Sequence, residues 1–140
     1  MAMKTYSGSC HCGAVRYQAD IDFAAGSNRC NCSLCAKARS WFVLVQPEHF
    51  RLLKGEDAQR EYRWTPPNRP GPNLHYRFCS TCGIRTVGRG EPHPNGGAFY
   101  FVAVASLDDV DPQDLAAGKV RYLDGRHDRY DRAPPNTELL

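Results

Sequence analysis

What this chain lacks narrows its class before any motif is read. No apolar run approaches the roughly 18 residues a membrane helix requires; the longest, WFVLV and AFYFVAVA, are the length of strands. The opening MAMKTYSG has no apolar signal core, so a cytoplasmic rather than a secreted protein is expected. Charge of one sign is scarce as well. A net charge of +3, from Arg and Lys scattered along the chain, is too weak and too dispersed a footprint for nucleic acid. Internal repeats and low-complexity tracts are missing, which argues against solenoids and propellers. Finally, the seven cysteines are an odd number and cannot all pair as disulfides. A chain of 140 residues does not need cross-links merely to fold, since one of this size buries roughly two-thirds of its unfolded surface. The thiols are there for another purpose.

Helical signal is also sparse. Short segments rich in β-branched or aromatic residues, each bounded by Gly, Pro, Asn or Asp, predict strands over Ala14–Ala19, Trp41–Gln46, Gln59–Trp64, Leu74–Phe78, Ile84–Gly88 and Ala98–Ala105. The expectation is one mainly β, antiparallel domain over residues 1–132, followed by a loosely held tail at 133–140. Two short helical turns are predicted, over Ser33–Ser40 and Pro112–Ala117. The second has Asp111 as N-cap, Pro112 at the first helical position and Gly118 as its stop. TPPNRPGPN (Thr65–Asn73) and GRGEPHPNGG (Gly88–Gly97) read as exposed loops, with a turn at Asn95-Gly96.

The cysteines fall in three groups: Cys10 and Cys12 in CHC, Cys30, Cys32 and Cys35 in CNCSLC, and Cys79 and Cys82 in CSTC. Closely spaced thiols suit zinc, because two ligands arrive on one turn of chain. A structural site takes four protein ligands, whereas a catalytic site commonly takes three and keeps a position open. One division joins Cys10 and Cys12 to Cys79 and Cys82, leaving Cys30, Cys32 and Cys35 as an open triad. A second joins Cys32 and Cys35 to Cys79 and Cys82, leaving Cys10, Cys12 and Cys30 over. Spacing alone leaves both open. A redox dithiol is the competing use of a CxxC, but neither CxxC sits between a strand and a helix in a βαβ setting.

Taken together, GSCHCGAVRY (Gly8–Tyr17), CNCSLCAK (Cys30–Lys37), the Gly-then-Tyr stretch of LLKGEDAQREY (Leu52–Tyr62) and RFCSTCG (Arg77–Gly83) make the chain resemble the glutathione-dependent formaldehyde-activating enzyme family. The resemblance runs from about Gly8 into VASLDDV at Val104–Val110. It implies a β-tent fold similar to that of small zinc-binding guanine-nucleotide-exchange modules. It also selects the first division: a structural zinc on Cys10, Cys12, Cys79 and Cys82 and a catalytic zinc on Cys30, Cys32 and Cys35. The family's middle group typically reads Cys-His-Cys, and Asn31 stands here in place of the histidine.

The reaction implied is addition of a glutathione-like thiol to an aldehyde such as formaldehyde, giving S-hydroxymethylglutathione, or its reversal as a carbon–sulfur lyase. The partners expected are therefore a small thiol and an aldehyde, without nucleic acid or membrane. Lys37, Arg39 and Arg85 are candidates to offset thiolate charge or hold carboxylates, each read first as a surface residue. His11 and His93 have no ligand spacing, and His75 is a candidate proton carrier. Tyr62, Trp64, Phe99, Tyr100 and Phe101 read first as sheet-face residues and second as a substrate wall. The alternatives to an enzyme are a binding module and a zinc-stapled scaffold, both without catalysis.

Overall fold

The computed structural model describes residues 3–67, 74–91 and 97–140. Among these residues the strands are β1 (Lys4–Ser9), β2 (Arg16–Ile21), β3 (Ser27–Cys30), β4 (Trp41–Val45), β5 (Phe50–Lys54), β6 (Gln59–Trp64), β7 (Leu74–Cys79), β8 (Arg85–Gly90), β9 (Phe99–Ala103) and β10 (Val120–Leu123). Two helices accompany them, α1 (Ser33–Ala38) and α2 (Pro112–Ala116). The chain is mainly β, as its composition implies. β6 lies where its pattern places it, and β4, β7, β8 and β9 lie within two residues of theirs. The Asn95-Gly96 turn and His93 fall outside the described residues.

Four strands went unrecognised, each for a visible reason. β1 (KTYSGS) and β3 (SNRC) are largely polar, while β5 (FRLLK) has neighbouring apolar residues without alternation. β10 (VRYL) is only a short edge strand. In β3 the buried polar residues are Ser27 and Asn28, and side-chain hydrogen bonds satisfy them. Trp41 Nε1 donates to Ser27 Oγ at 2.7 Å, and Arg121 Nε donates to Asn28 Oδ1 at 3.1 Å.

The strands form a three-stranded sheet, ordered β1-β2-β5, and a seven-stranded sheet, ordered β10-β3-β4-β9-β8-β7-β6. The expected antiparallel arrangement holds throughout except at one edge, where β10 pairs parallel with β3. That exception comes from a crossover. After β9 the chain passes through α2 and returns beside β3 in the same direction, an arrangement that needs an intervening connection of this kind. Asp111 caps α2 as expected, accepting from the Gln113 amide at 2.8 Å. α2 ends at Ala116 with Ala117 as its C-cap, which leaves Gly118 as the first residue beyond the helix, as expected. Gly118 also allows close approach, since a Cβ there would collide with the Phe23 carbonyl.

One face of the large sheet packs on the small one. Val43, Val45, Val87 and Val102 meet Tyr6, Tyr17, Ala19 and Ile21 in the main core. Phe50 bridges the two sheets, stacked at 5.6 Å on Tyr17 and at 4.6 Å on Tyr100. The Tyr17 hydroxyl reaches Ser106 Oγ at 2.6 Å, so this buried phenol is satisfied. The opposite face follows from alternation along the strands. In register across it lie Leu44, Phe101, Gly88, Tyr76 and Tyr62, with Trp64, Leu74, Gly90 and Phe99 in the next row. Residues 133–140 form no strand or helix; Pro134 is buried among them.

Candidate metal centres

The cysteines converge through local structure. The chain after β1 turns at Gly13, whose positive φ of 81° lets the CHC loop fold back toward the turn between β7 and β8. There Gly83, also at positive φ, closes the CSTC turn, with the Gly83 amide donating to the Cys79 carbonyl at 2.9 Å. The sulfurs of Cys10, Cys12, Cys79 and Cys82 consequently lie within 4.8 Å of one another. The triad is built differently. Cys30 ends β3, Cys32 caps α1, and Cys35 sits on the first turn of α1, so their three sulfurs also fall within 4.8 Å of one another. Of the two divisions open from spacing, this is the first. Among the described residues all seven thiols are free of disulfides.

Both groups fit a tetrahedral thiolate-bound cation. A sulfur–metal distance of about 2.3 Å makes the tetrahedron's edge roughly 3.8 Å. The Cys10–Cys12 and Cys12–Cys79 sulfurs are 3.7 and 3.6 Å apart. Backbone amides already point at the sulfurs, as thiolates require. Val15 N–H donates to Cys10 at 3.3 Å, Thr81 N–H to Cys79 at 3.4 Å, Cys32 N–H to Cys30 at 3.4 Å and Cys35 N–H to Cys32 at 3.3 Å. The Cys12 and Ile84 amides bring the Cys82 thiol down to about 6, and those of Cys82 and Thr81 lower Cys79. In the triad, hydrogen bonds from Cys30 and Cys35 pull Cys32 down, Cys32 and burial push Cys30 up, and both neighbouring sulfurs and burial push Cys35 up. Three adjacent sulfurs can ionise together only around a cation. Either group can therefore hold a metal ion.

The two groups differ in setting. Cys30, Cys32 and Cys35, though each is at most 9% exposed, border a groove over the face of the large sheet turned away from the small one, whereas the four-cysteine group, in which Cys12 is exposed and Cys82 half-buried, does not border it. Phe42 and Trp64 pack against the triad. Tyr76, which sequence reasoning passed over, is nearly fully buried in the neighbourhood of Cys32 and Cys35. Burial and the charge of Cys35 and Cys32 push its phenol upward, so it remains a proton donor. The Arg85 guanidinium lies 4.5 Å over the Tyr76 ring.

The remaining candidates separate clearly. Arg39 and Arg85 border the groove, and Lys37 does not. His75 is engaged by Glu61, Nδ1 to Oε2 at 3.0 Å, on the sheet face away from the triad, which removes it as a proton carrier there. His11 is exposed in the CHC loop. Tyr100 belongs to the core, Tyr62 is 52% exposed, and Trp64, Phe99 and Phe101 border the groove.

Asn31 does not face the sulfurs. Its Nδ2 donates to Asp124 Oδ1 at 2.8 Å and its Oδ1 accepts from the Arg126 amide at 2.9 Å. Asp124, only 2% exposed, also accepts from His127 Nδ1 at 2.9 Å, and these donors lower its carboxyl, Asn31 contributing most. The bonds pin the loop after β10 so that Gly125 rests on the Cys30 sulfur, where a Cβ would collide. Nothing in the spacing of Asp124 or Gly125 announces this, because only loop closure brings them to the triad.

Two sheets, few short helices and two separate groups of metal-competent thiols define the class: a small, mainly β protein with paired thiolate centres. The model of the glutathione-dependent formaldehyde-activating enzyme family matches residues 5–123, and the chain belongs to that family. It is also similar to the crystal structure of a Rhodobacter sphaeroides protein, a structural-genomics target, with a TM-score of 0.64 and 28% identity over 81% of this chain and 98% of that one. Among the described residues no helix is long and apolar enough to cross a membrane.

Proposed function

We propose that the chain is a zinc-dependent enzyme that makes or breaks a thiol–aldehyde adduct, with a structural zinc on Cys10, Cys12, Cys79 and Cys82 and a catalytic zinc on Cys30, Cys32 and Cys35. The observation that carries this reading is the difference in ligand number and setting: four cysteines gathered away from the groove, and three, without a fourth, bordering it. All-sulfur donor sets favour zinc among divalent ions common in cells. When bound at the triad, zinc would supply a lowered pKa for an incoming thiol or Lewis acidity toward a carbonyl oxygen.

The protein's own groups address the weakness of such a site, its excess negative charge. The Cys32 and Cys35 amides donate to Cys30 and Cys32. Arg85, held flat over Tyr76, adds a cation beside the triad without itself being a ligand. Each draws electron density from sulfur. Arg85 and Arg39 also suit the carboxylates of a glutathione-like thiol arriving along the groove.

The test is exchange between glutathione, formaldehyde and S-hydroxymethylglutathione, followed by NMR with zinc-loaded protein. The wild type is expected to accelerate exchange. Cys32→Ser is expected to lose one zinc and the acceleration, a drop of at least 100-fold, while retaining the fold. Cys79→Ser should unfold the domain. Equal exchange rates in wild type and Cys32→Ser would remove the catalytic assignment.

A further inference from the structure

The wall beside the triad is more apolar than a formaldehyde–glutathione pair can use. Formaldehyde offers one carbon and one oxygen, and glutathione is a polar tripeptide with charged ends. Yet the groove is edged by Phe42, Trp64, Phe99 and Phe101. The rings form a joined set: Phe101 meets Tyr76 at 4.9 Å, Phe42 at 6.2 Å and Phe99 at 6.2 Å. Two glycines on β8 lower the floor between them. A Cβ on Gly88 would strike the Phe101 ring, and one on Gly90 would reach Phe99 at 2.5 Å. The sheet has thus given up side chains at the centre of this face to seat aromatic rings. A sheet face with this composition ordinarily packs against something apolar, and Leu44 beside it is still 47% exposed. The face runs directly into the triad, because Trp64 and Phe42 touch both.

We infer that this enzyme takes an aryl or comparably bulky apolar aldehyde in preference to formaldehyde. This deepens the thiol–aldehyde reading above and rests on it. The ring would lie against Trp64, Phe99 and Phe101, with the reacting carbon at the triad and the thiol's carboxylates toward Arg85. In the reaction the thiol sulfur attacks the carbonyl carbon and a C–S bond forms. The C=O π pair moves to oxygen, which takes up the proton the thiol released. The product is a hemithioacetal, the reverse step breaks the same C–S bond, and no oxidant or reductant is needed.

Stable analogues separate the two halves of the idea. Zinc-loaded protein is titrated calorimetrically with S-benzylglutathione and with S-methylglutathione, and by tryptophan fluorescence with benzaldehyde alone. The benzyl analogue is expected to bind about tenfold more tightly than the methyl one. In Trp64→Ala, checked for retention of both zincs, that preference should fall to about twofold or less. Should the variant lose zinc, the wild-type comparison still decides. Equal affinity of the two analogues would overturn the inference while leaving the thiol–aldehyde reading intact. If neither analogue binds but benzaldehyde quenches the fluorescence, the thiol half of that reading fails and the aryl site stands. A wild-type dimer in sedimentation that Trp64→Ala dissociates would mean that a second copy covers the face, which also overturns the inference.

Discussion

Gly125 has no chemistry of its own, yet it sits against the Cys30 sulfur because Asn31 and Asp124 fix the loop that carries it. A methyl group at that position has nowhere to go except into the sulfur or the Tyr130 ring. Gly125→Ala is therefore expected to weaken the triad's hold on zinc about tenfold or more while sparing the four-cysteine site. Competition with a chromophoric chelator checks this: one zinc should leave early and the other late. Simultaneous release, or no change from wild type, would show that the loop does not shape the triad. The same residues mark how far the sequence can be read. The two cysteine groups were legible because short spacing along the chain is where metal-competent thiols show themselves. Asp124 and Tyr76 were not, because their positions depend on a loop closure and a strand register that no local pattern encodes. Asn31 shows a related effect, since its change from the family's histidine signals a difference but not the new partner it acquires in Asp124.

Among the elements, β6 and β7 are joined at their exposed edge by a small charge network. Glu61 accepts from His75 at 3.0 Å and Arg63 at 2.9 Å, with Arg77 at 3.5 Å. His75 contributes most to bringing the Glu61 carboxyl down to about 2, with Arg63 and Arg77 adding less. A depressed carboxylate stabilises the folded state above its unfolded pKa, about 4.3, and the contribution fades as pH falls toward the folded value. Glu61→Gln should therefore cost about 0.5–1 kcal/mol at pH 6, a size limited by solvent screening. The gap between variant and wild type should close as pH drops from about 4.5 toward 2. Paired urea unfolding curves at several pH values test this, and a gap independent of pH would exclude the charge explanation. Aromatic and β-branched strands such as β6 and β9 were visible in the sequence. β3 was not, because its buried Ser27 and Asn28 are stabilised by hydrogen bonds that hydrophobic patterning does not register. The parallel β3–β10 pair was hidden for a further reason: orientation is set by the crossover through α2, far from β3 in the chain.

Across the whole molecule, the two thiolate groups have different structural partners. Cys10 and Cys12 follow β1, while Cys79 and Cys82 flank the turn from β7 to β8, so this group links the small sheet to the large one. A metal held there would add its binding free energy to folding. The triad joins only the end of β3 to α1 and leaves a side facing the groove. One closed centre and one open centre in the same chain is the central claim, and zinc stoichiometry combined with zinc X-ray absorption tests it most directly. The account predicts two zinc ions per chain and a mean of about 3.5 sulfur ligands per zinc, rising toward four when glutathione is added. A single zinc per chain, or four sulfurs around each of two zincs before any thiol is present, would contradict it.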